Sequence, residues 1–115
     1  MSQAEHDRRI DYIEFTSTDL DASKRFYSAV FGWGFTDYGP DYTSFMDGRL
    51  SGGFTRGEGG GRSPLVVLYA ADLDATRQRI ETWGISTFHA HSFPGGRRFH
   101  FRDPGGNELA VWSEH

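Results

Sequence analysis

The most constraining feature of this sequence is a repeat of its own pattern. The segment Asp19–Arg25 (DLDASKR) recurs 53 residues later as Asp72–Gln78 (DLDATRQ), with four identical positions. Each copy follows a strand-like apolar run, and each precedes a glycine that ends a helical stretch and an Asp-containing turn before a further apolar strand. Landmarks repeated in the same order indicate duplication of one supersecondary unit. The sequence therefore predicts two tandem modules.

Each copy carries the local signals of a strand followed by a helix. Asp19 and Asp72 are suited to cap a helix N-terminus, because a carboxylate accepts hydrogen bonds from the first unpaired N–H groups. Apolar residues at helical spacing predict the face of each helix that packs on its sheet. These residues are Ala22, Phe26, Ala29, Val30 and Trp33 in the first helix, and Leu73, Thr76, Ile80 and Trp83 in the second.

The remaining apolar runs predict three further strands in each module. They fall near residues 35–38, 42–47 and 50–55, and near 86–92, 97–102 and 107–113. We therefore predict an α+β fold of two tandem βαβββ modules, whose curved mixed sheets surround a cavity or trough. At 115 residues the chain fits one domain, with module one at about 9–56, a Gly-rich linker at about 57–63 and module two at about 64–113.

The composition excludes several classes of function. The formal net charge is −4 and the arginines are scattered, unlike the basic surface of a nucleic-acid-binding protein. There is no cysteine, which excludes disulfides and thiolate chemistry, and no apolar run approaches the roughly 20 residues that span a membrane. We expect a cytoplasmic protein. The 10 Phe, 5 Tyr and 3 Trp favour a lined cavity, a subunit interface or both.

Several landmarks together resemble those of a known superfamily. They are an Asp-Leu pair after the first strand, Phe26-Tyr27 in the first helix, Phe31-Gly32-Trp33 at its end, and the segment Asp103–Leu109 (DPGGNEL) before the last strand. Over roughly residues 9 to 113 the chain resembles the vicinal oxygen chelate superfamily of glyoxalase I, extradiol dioxygenases, fosfomycin-resistance enzymes and bleomycin-resistance proteins. The resemblance implies a homodimer that binds a small molecule.

The resemblance also implies where a divalent metal would be held in the enzymes of this group. Counted from the landmarks, the ligand positions correspond to Tyr12, to Val66, to Ala110 and to a residue near Gly52 or Gly53. Valine and alanine have no electron pair to donate to a metal. We therefore expect a member without this metal and without a cofactor, nearer to the bleomycin-binding proteins than to the enzymes.

Strand alternation predicts which side chains enter the trough. Tyr12, Glu14 and Thr16 would share one face of the first strand, and Glu108, Ala110 and Trp112 one face of the last. Glu14 and Glu108 are candidate acid/base groups or partners for a cationic ligand, with burial raising the pKa of either. The plainer alternative is that Glu14 pairs with an arginine and that Glu108 is solvated.

Histidines and a tyrosine hairpin are further candidates. His89, His91 and His100 fall on neighbouring predicted strands, so they are an alternative site for zinc or another divalent ion, and His100 is a third acid/base candidate. Tyr38 and Tyr42 lie on the two arms of a hairpin that could clamp a flat ligand, while Phe35 is expected in the core. Trp112 is the better stacking candidate among the tryptophans.

Three functional hypotheses follow. The first is a metal-free small-molecule-binding protein that holds a flat or aromatic ligand. The second is a lyase, isomerase or dioxygenase that uses a non-standard metal set drawn from the three histidines, Glu14 and Glu108. The third is a filled trough with a protein as the true partner. Elemental analysis distinguishes the first two, and the volume of the trough distinguishes the third.

Overall fold

The computed structural model describes residues 3–58 and 64–115, and its elements follow the predicted order. After a short 3₁₀ turn (Gln3–His6), the first module comprises β1 (Arg9–Ser17), α1 (Leu20–Phe31), β2 (Gly34–Asp37), β3 (Tyr42–Met46) and β4 (Ser51–Arg56). The second comprises β5 (Leu65–Tyr69), α2 (Leu73–Thr82), β6 (Thr87–Phe93), β7 (Gly96–Arg102) and β8 (Glu108–Ser113). The α+β class and the tandem βαβββ order are thereby confirmed. Most of the predicted linker, at 59–63, lies outside the described residues.

Both helices begin where the repeat predicts. The side chain of Asp19 accepts a hydrogen bond from the Ala22 N–H at 3.0 Å, and that of Asp72 accepts one from the Ala75 N–H at 3.0 Å. The first helix ends at Gly32, whose φ of 73° lies in the left-handed region that glycine adopts without strain. Equivalent caps at equivalent positions show that the two modules are built by the same local rules.

The chain divides into two compact units. The first unit is Tyr12–Leu65, and its strands run in the order β2-β3-β4-β1, with β1 parallel to β4 and the other neighbours antiparallel. Helix α1 covers one face of this sheet. The buried cluster beneath it is aromatic, with Phe45 and Phe54 at its centre and Phe15, Tyr27, Trp33 and Phe35 packed around them.

The second unit joins the described part of Met1–Asp11 to Val66–His115, and its strands run in the order β5-β8-β7-β6. The N-terminal segment is fixed on β5, because the Arg8 N–H donates to the Tyr69 carbonyl at 2.8 Å and Asp7 accepts from the Ala71 N–H at 2.8 Å. Under α2 lies a second buried cluster, formed by Ala70, Leu73, Phe99 and Val111. Each unit thus has its own core on the helix side of its sheet.

The predicted helix stripes are partly wrong. Phe26 and Val30 are 52% and 58% exposed, and Trp83 is 83% exposed. In α1 the place at the sheet is taken by Tyr27, whereas in α2 Ile80 packs against the sheet as predicted. In α1 the reason is aromatic stacking: the Tyr27 ring lies 4.6 Å from that of Trp33 and 5.4 Å from that of Phe54, which turns the neighbouring Phe26 outward. Trp33 itself is in the core, as predicted.

The face of each sheet that lies away from its helix is called here the far face. In the first unit Phe15 and Phe54 face α1, so alternation places Glu14 and Gly53 on the far face. In the second unit Phe99 and Val111 face α2, so His100 and Ala110 lie on the far face. The face assignments predicted for β1 and β8 are therefore confirmed. Within residues 3–58 and 64–115, no helix is long and apolar enough to cross a membrane.

Candidate functional site

The far face of the first unit carries a connected group of two phenols and a carboxylate. The hydroxyl groups of Tyr12 and Tyr42 share a short hydrogen bond, and the Tyr42 hydroxyl contacts Glu14 Oε2 at 3.2 Å. Tyr12 and Glu14 come from β1 and Tyr42 from the start of β3, with Gly53 of β4 between them. We refer to these three side chains as the phenol–carboxylate group.

Gly53 makes this arrangement possible. It pairs with Glu14 on β1 and with Ser44 on β3, and a Cβ atom placed on it would overlap the Tyr42 hydroxyl and lie 2.6 Å from that of Tyr12. The missing side chain is therefore occupied by the two phenols, which meet over the bare backbone. Any other residue at position 53 would push at least one ring away.

The electrostatics keep the central phenol protonated. Burial, together with the hydrogen bond to Tyr12 and the negative charge of Glu14, raises the pKa of Tyr42 above its ordinary value. A phenol that stays neutral at any physiological pH donates and accepts hydrogen bonds but is a poor ligand for a metal ion. The group is thus built for hydrogen bonding.

The other residues of the tyrosine hairpin are not brought into this group. Tyr38 lies at the β2–β3 turn and is 64% exposed, while Phe35 packs into the aromatic core as expected. Tyr38 and Tyr42 are therefore not in contact through this group, and their role as a clamp for a flat ligand stays a prediction. The two tyrosines differ because Tyr42 lies within β3, whereas Tyr38 lies one residue beyond the end of β2.

In the second unit, the position predicted at Val66 is displaced by one residue. Leu68 packs against the cluster under α2, so alternation turns Val66 to the same side, in register with Leu109. Val67 instead pairs with Ala110 on the far face, and both are buried. Val67 lies five residues before Asp72, as Glu14 lies five before Asp19, so Val67 is the counterpart of Glu14; the counterpart of Tyr12, seven residues before its landmark, is Leu65.

A histidine and a carboxylate meet on this far face. His100 of β7 is 6% exposed, and its Nδ1 lies 2.9 Å from Glu108 Oε2 of β8. Glu108 also contacts Arg102 at 3.4 Å through its other oxygen. Sequence reasoning singled out both His100 and Glu108 but not Arg102. The alternative of a solvated Glu108 is not supported, since its carboxylate is held between a histidine and an arginine.

The three histidines do not form the alternative metal site. In the described ranges 3–58 and 64–115, no three His, Asp or Glu side chains form a group that could hold a metal ion. The reason is local: the register of β6 against β7 shifts between Phe88 and His91, and His89 has a φ of 52°. The rings of His89 and His91 stand 5.5 and 6.4 Å from that of His100, and His91 Nδ1 is bonded to a main-chain carbonyl.

Trp112 lies on the same far face and is held rigidly. Its indole N–H donates to Asp11 Oδ2 at 2.9 Å, and Asp11 in turn contacts His6 at 2.5 Å. The rings of Tyr69 and Phe93 flank the indole at 5.3 and 6.3 Å. Asp11 was not identified from the sequence, because its partner is 101 residues away.

A cleft of about 230 Å³ opens on the helix side of the second unit, away from these residues. Leu73 and Arg77 of α2 line it together with His91 and Arg97. Arg77, Arg97 and Arg98 all line it; Arg97 contacts Asp74 at 3.4 Å and Arg77 contacts Glu81 at 3.5 Å. Neither Glu108 nor Trp112 lines this cleft.

His100 makes the stability of the protein depend on pH. Burial lowers the pKa of His100 below 6.5, although the hydrogen bond to Glu108 opposes the shift. Below about pH 6.5 the imidazole of His100 binds a proton more readily in the unfolded chain than in the folded protein. The free energy of unfolding therefore decreases as the pH falls, by at most about 1.4 kcal/mol per pH unit. Urea unfolding between about pH 7.5 and about pH 5.5 should show a smaller loss in His100→Gln. The exposed His91→Gln is the control, and equal slopes in all three proteins would contradict the prediction.

A comparison with models of protein families identifies the superfamily of this chain. A model of the Glyoxalase/Bleomycin resistance protein/Dioxygenase superfamily matches residues 9–111, nearly the whole sequence. The chain belongs to this superfamily. The resemblance inferred from the sequence landmarks is thereby confirmed. A search of curated proteins gave no match.

Solved structures share the fold of this superfamily member at low sequence identity. Methylmalonyl-CoA epimerase from Mycobacterium tuberculosis superposes with a TM-score of 0.75 and 16% identity, over 90% of this chain and 86% of that one. A superfamily member from Vibrio splendidus 12B01 gives 0.72 and 16%, over 91% and 97%. The Mn(II)-bound glyoxalase from Novosphingobium aromaticivorans gives 0.67 and 22%, and this chain spans 40% of its length. These likenesses concern the fold alone.

The superfamily's metal does not fit the residues present. Tyr12 is hydrogen bonded to a phenol that stays protonated, Gly53 has no side chain, and Val67 and Ala110 are hydrocarbon. Whether Val66 or its neighbour Val67 is considered, the side chain is a hydrocarbon and cannot donate an electron pair to a metal. No step of a reaction can be assigned to a metal held at these positions.

Proposed function

We propose that the chain is a small-molecule-binding protein that holds a flat or aromatic ligand on its far face without a metal. It would work as a homodimer, as the superfamily resemblance implies, and in the cytoplasm, as expected from the composition. One observation carries the proposal: at Tyr12, where the resemblance implies a metal ligand, this chain has the phenol–carboxylate group beside the bare backbone of Gly53. That group offers hydrogen bonds and a single carboxylate, and within residues 3–58 and 64–115 no three His, Asp or Glu side chains gather to hold an ion.

The chemistry of the far-face residues favours a ring-shaped ligand with polar substituents. Aromatic side chains offer flat surfaces, and Trp112 is fixed in orientation by Asp11, so stacking on it costs little conformational entropy. Glu14 supplies a carboxylate that accepts hydrogen bonds or pairs with a cationic group. Flat apolar surfaces with a few placed polar groups are typical of small-molecule sites.

Ligand binding to a Tyr42→Phe variant tests the proposal. A panel of flat aromatic compounds, some cationic, is screened by thermal shift, and hits are measured by isothermal titration. Loss of the Tyr42 hydroxyl removes the link between Tyr12 and Glu14, so we expect affinity to fall about three- to tenfold. Trp83→Phe, which alters an exposed ring on α2, should bind like the parent protein.

Elemental analysis separates this proposal from the enzyme hypothesis. Protein purified without chelators should contain no stoichiometric divalent metal. A metal present at one equivalent per chain, or the absence of any hit in the whole panel, would contradict a metal-free binding protein.

A further inference from the structure

His100 has one nitrogen that the far face of the second unit leaves unused. Its side chain is 6% exposed, and Nδ1 is bonded to Glu108. Nε2 is buried and has no hydrogen-bond partner among the described residues. A buried polar atom without a partner costs about 1–3 kcal/mol, so such atoms usually mark a place where another molecule supplies the partner.

The carboxylate fixes the role of that nitrogen. Because Glu108 only accepts hydrogen bonds, Nδ1 must carry the proton, and Nε2 of the neutral ring then presents a lone pair. Arg102 contacts the second oxygen of Glu108 at 3.4 Å and so helps to orient the carboxylate. Burial favours the neutral imidazole, which lowers the pKa of His100. The ring is therefore a hydrogen-bond acceptor towards its surroundings.

The surroundings of Nε2 are aromatic and lie at the edge of the sheet. The rings of Phe88 and His89 stand 5.8 and 5.5 Å from that of His100, and β6, which carries both, is the terminal strand. The register of β6 breaks just after Phe88, and His89 adopts a φ of 52° that is strained for a residue other than glycine. The bulge therefore lies beside the His100 ring, in the part of β6 where the ladder to β7 is interrupted.

We propose that His100 Nε2 accepts a hydrogen bond from the hydroxyl group of a phenolic ligand whose ring packs against Phe88 and His89. An aromatic ring suits the two flanking rings, and a hydroxyl donor suits a lone pair that cannot itself donate. This inference rests on the proposed small-molecule function and names the chemical class of its ligand. Glu108 is a positioning residue, because it acts on the ligand only through His100.

A matched pair of aromatic probes tests the hydrogen bond. 4-Methylphenol carries the hydroxyl donor and stays protonated at neutral pH, because the pKa of an ordinary phenol is about 10, whereas 4-methylanisole has the same ring with a methyl ether that cannot donate. Isothermal titration should show 4-methylphenol binding about tenfold more tightly, the factor expected for one buried hydrogen bond. The ratio of the two affinities is the readout, because a general loss of structure would change both values together.

Variants assign the preference to His100. In His100→Phe the ratio should fall to about one, since no acceptor remains. Glu108→Ala should reduce the ratio because Nδ1 loses its partner, and Glu108→Gln should restore most of it, since an amide oxygen accepts the same bond. Glu108 is only partly buried, so these two variants remain informative if His100→Phe fails to fold. Asp74→Asn, an exposed carboxylate on α2, should leave the ratio unchanged.

The outcomes separate this inference from the broader function. Equal affinity for both probes, or a preference that survives in the folded His100→Phe and Glu108→Ala variants, overturns the role of His100 while small-molecule binding stands. If neither probe binds but other panel compounds do, the phenolic class is wrong. Failure of every compound overturns the proposed function as well.

Discussion

Replacing Gly52 by alanine is expected to destabilise the first unit by about 3 kcal/mol or more. Gly52 is buried in β4, and a Cβ atom there would overlap both the Phe45 ring and the main-chain carbonyl oxygen of Ile13 on the paired strand β1. A ring can turn aside, but a main-chain oxygen within a sheet cannot move without breaking the ladder. Urea unfolding followed by circular dichroism should show the loss as a lower midpoint.

Gly34→Ala is the matched control for this change. Gly34 also lies in a strand, β2, but it is exposed and a Cβ atom there meets no atom within 4 Å. Since alanine reduces the conformational freedom of the unfolded chain, this variant should be as stable as the parent or slightly more so. Similar midpoints for Gly52→Ala and Gly34→Ala would show that β1 and β4 are not packed as closely as described.

Truncating Phe99 to alanine is expected to cost about 3–5 kcal/mol in the free energy of unfolding. Phe99 is 1% exposed in β7 and packs with Leu73 and Val111 under α2, so its loss leaves a large cavity. It also directly precedes His100 on the same strand, so the far face of the second unit should be disturbed with the core.

Phe26→Ala provides the comparison for an exposed ring. Phe26 is 52% exposed on α1, and its removal should cost less than about 1 kcal/mol. Chemical denaturation of both variants measures the difference. If Phe99→Ala unfolds at the same urea concentration as Phe26→Ala, the cluster under α2 does not stabilise the protein as its burial implies.

The sequence predicts the framework of this fold well because the framework is local. Asp19 and Asp72 mark the helix starts through hydrogen bonds three residues away, and the strands follow from short apolar runs. The tandem order then follows from the repeat, and the family follows from landmarks that recur in order. Alternation along each strand then gives the residues of the far face, once the orientation of one residue in that strand is known.

What the sequence does not predict depends on contacts between distant residues. Phe26 was expected inside because spacing alone does not fix the rotation of α1, which is set by the stacking of Tyr27 on Trp33. A regular strand β6 would place His89 and His91 on one face, but the register shift after Phe88 separates them. Val66 lies six residues before Asp72 whereas Tyr12 lies seven before Asp19, so alternation places the two on different faces of their sheets.

Gly53 and Ala110 occupy equivalent places in the two copies, facing Glu14 in one and Val67 in the other. The space beside Gly53 is filled by two phenol rings, whereas Val67 and Ala110 meet as hydrocarbon. The same pairing of parallel strands therefore accommodates a hydrogen-bonded pair of rings in one unit and a close apolar contact in the other, because the side chain that is missing or small decides what its neighbours can be.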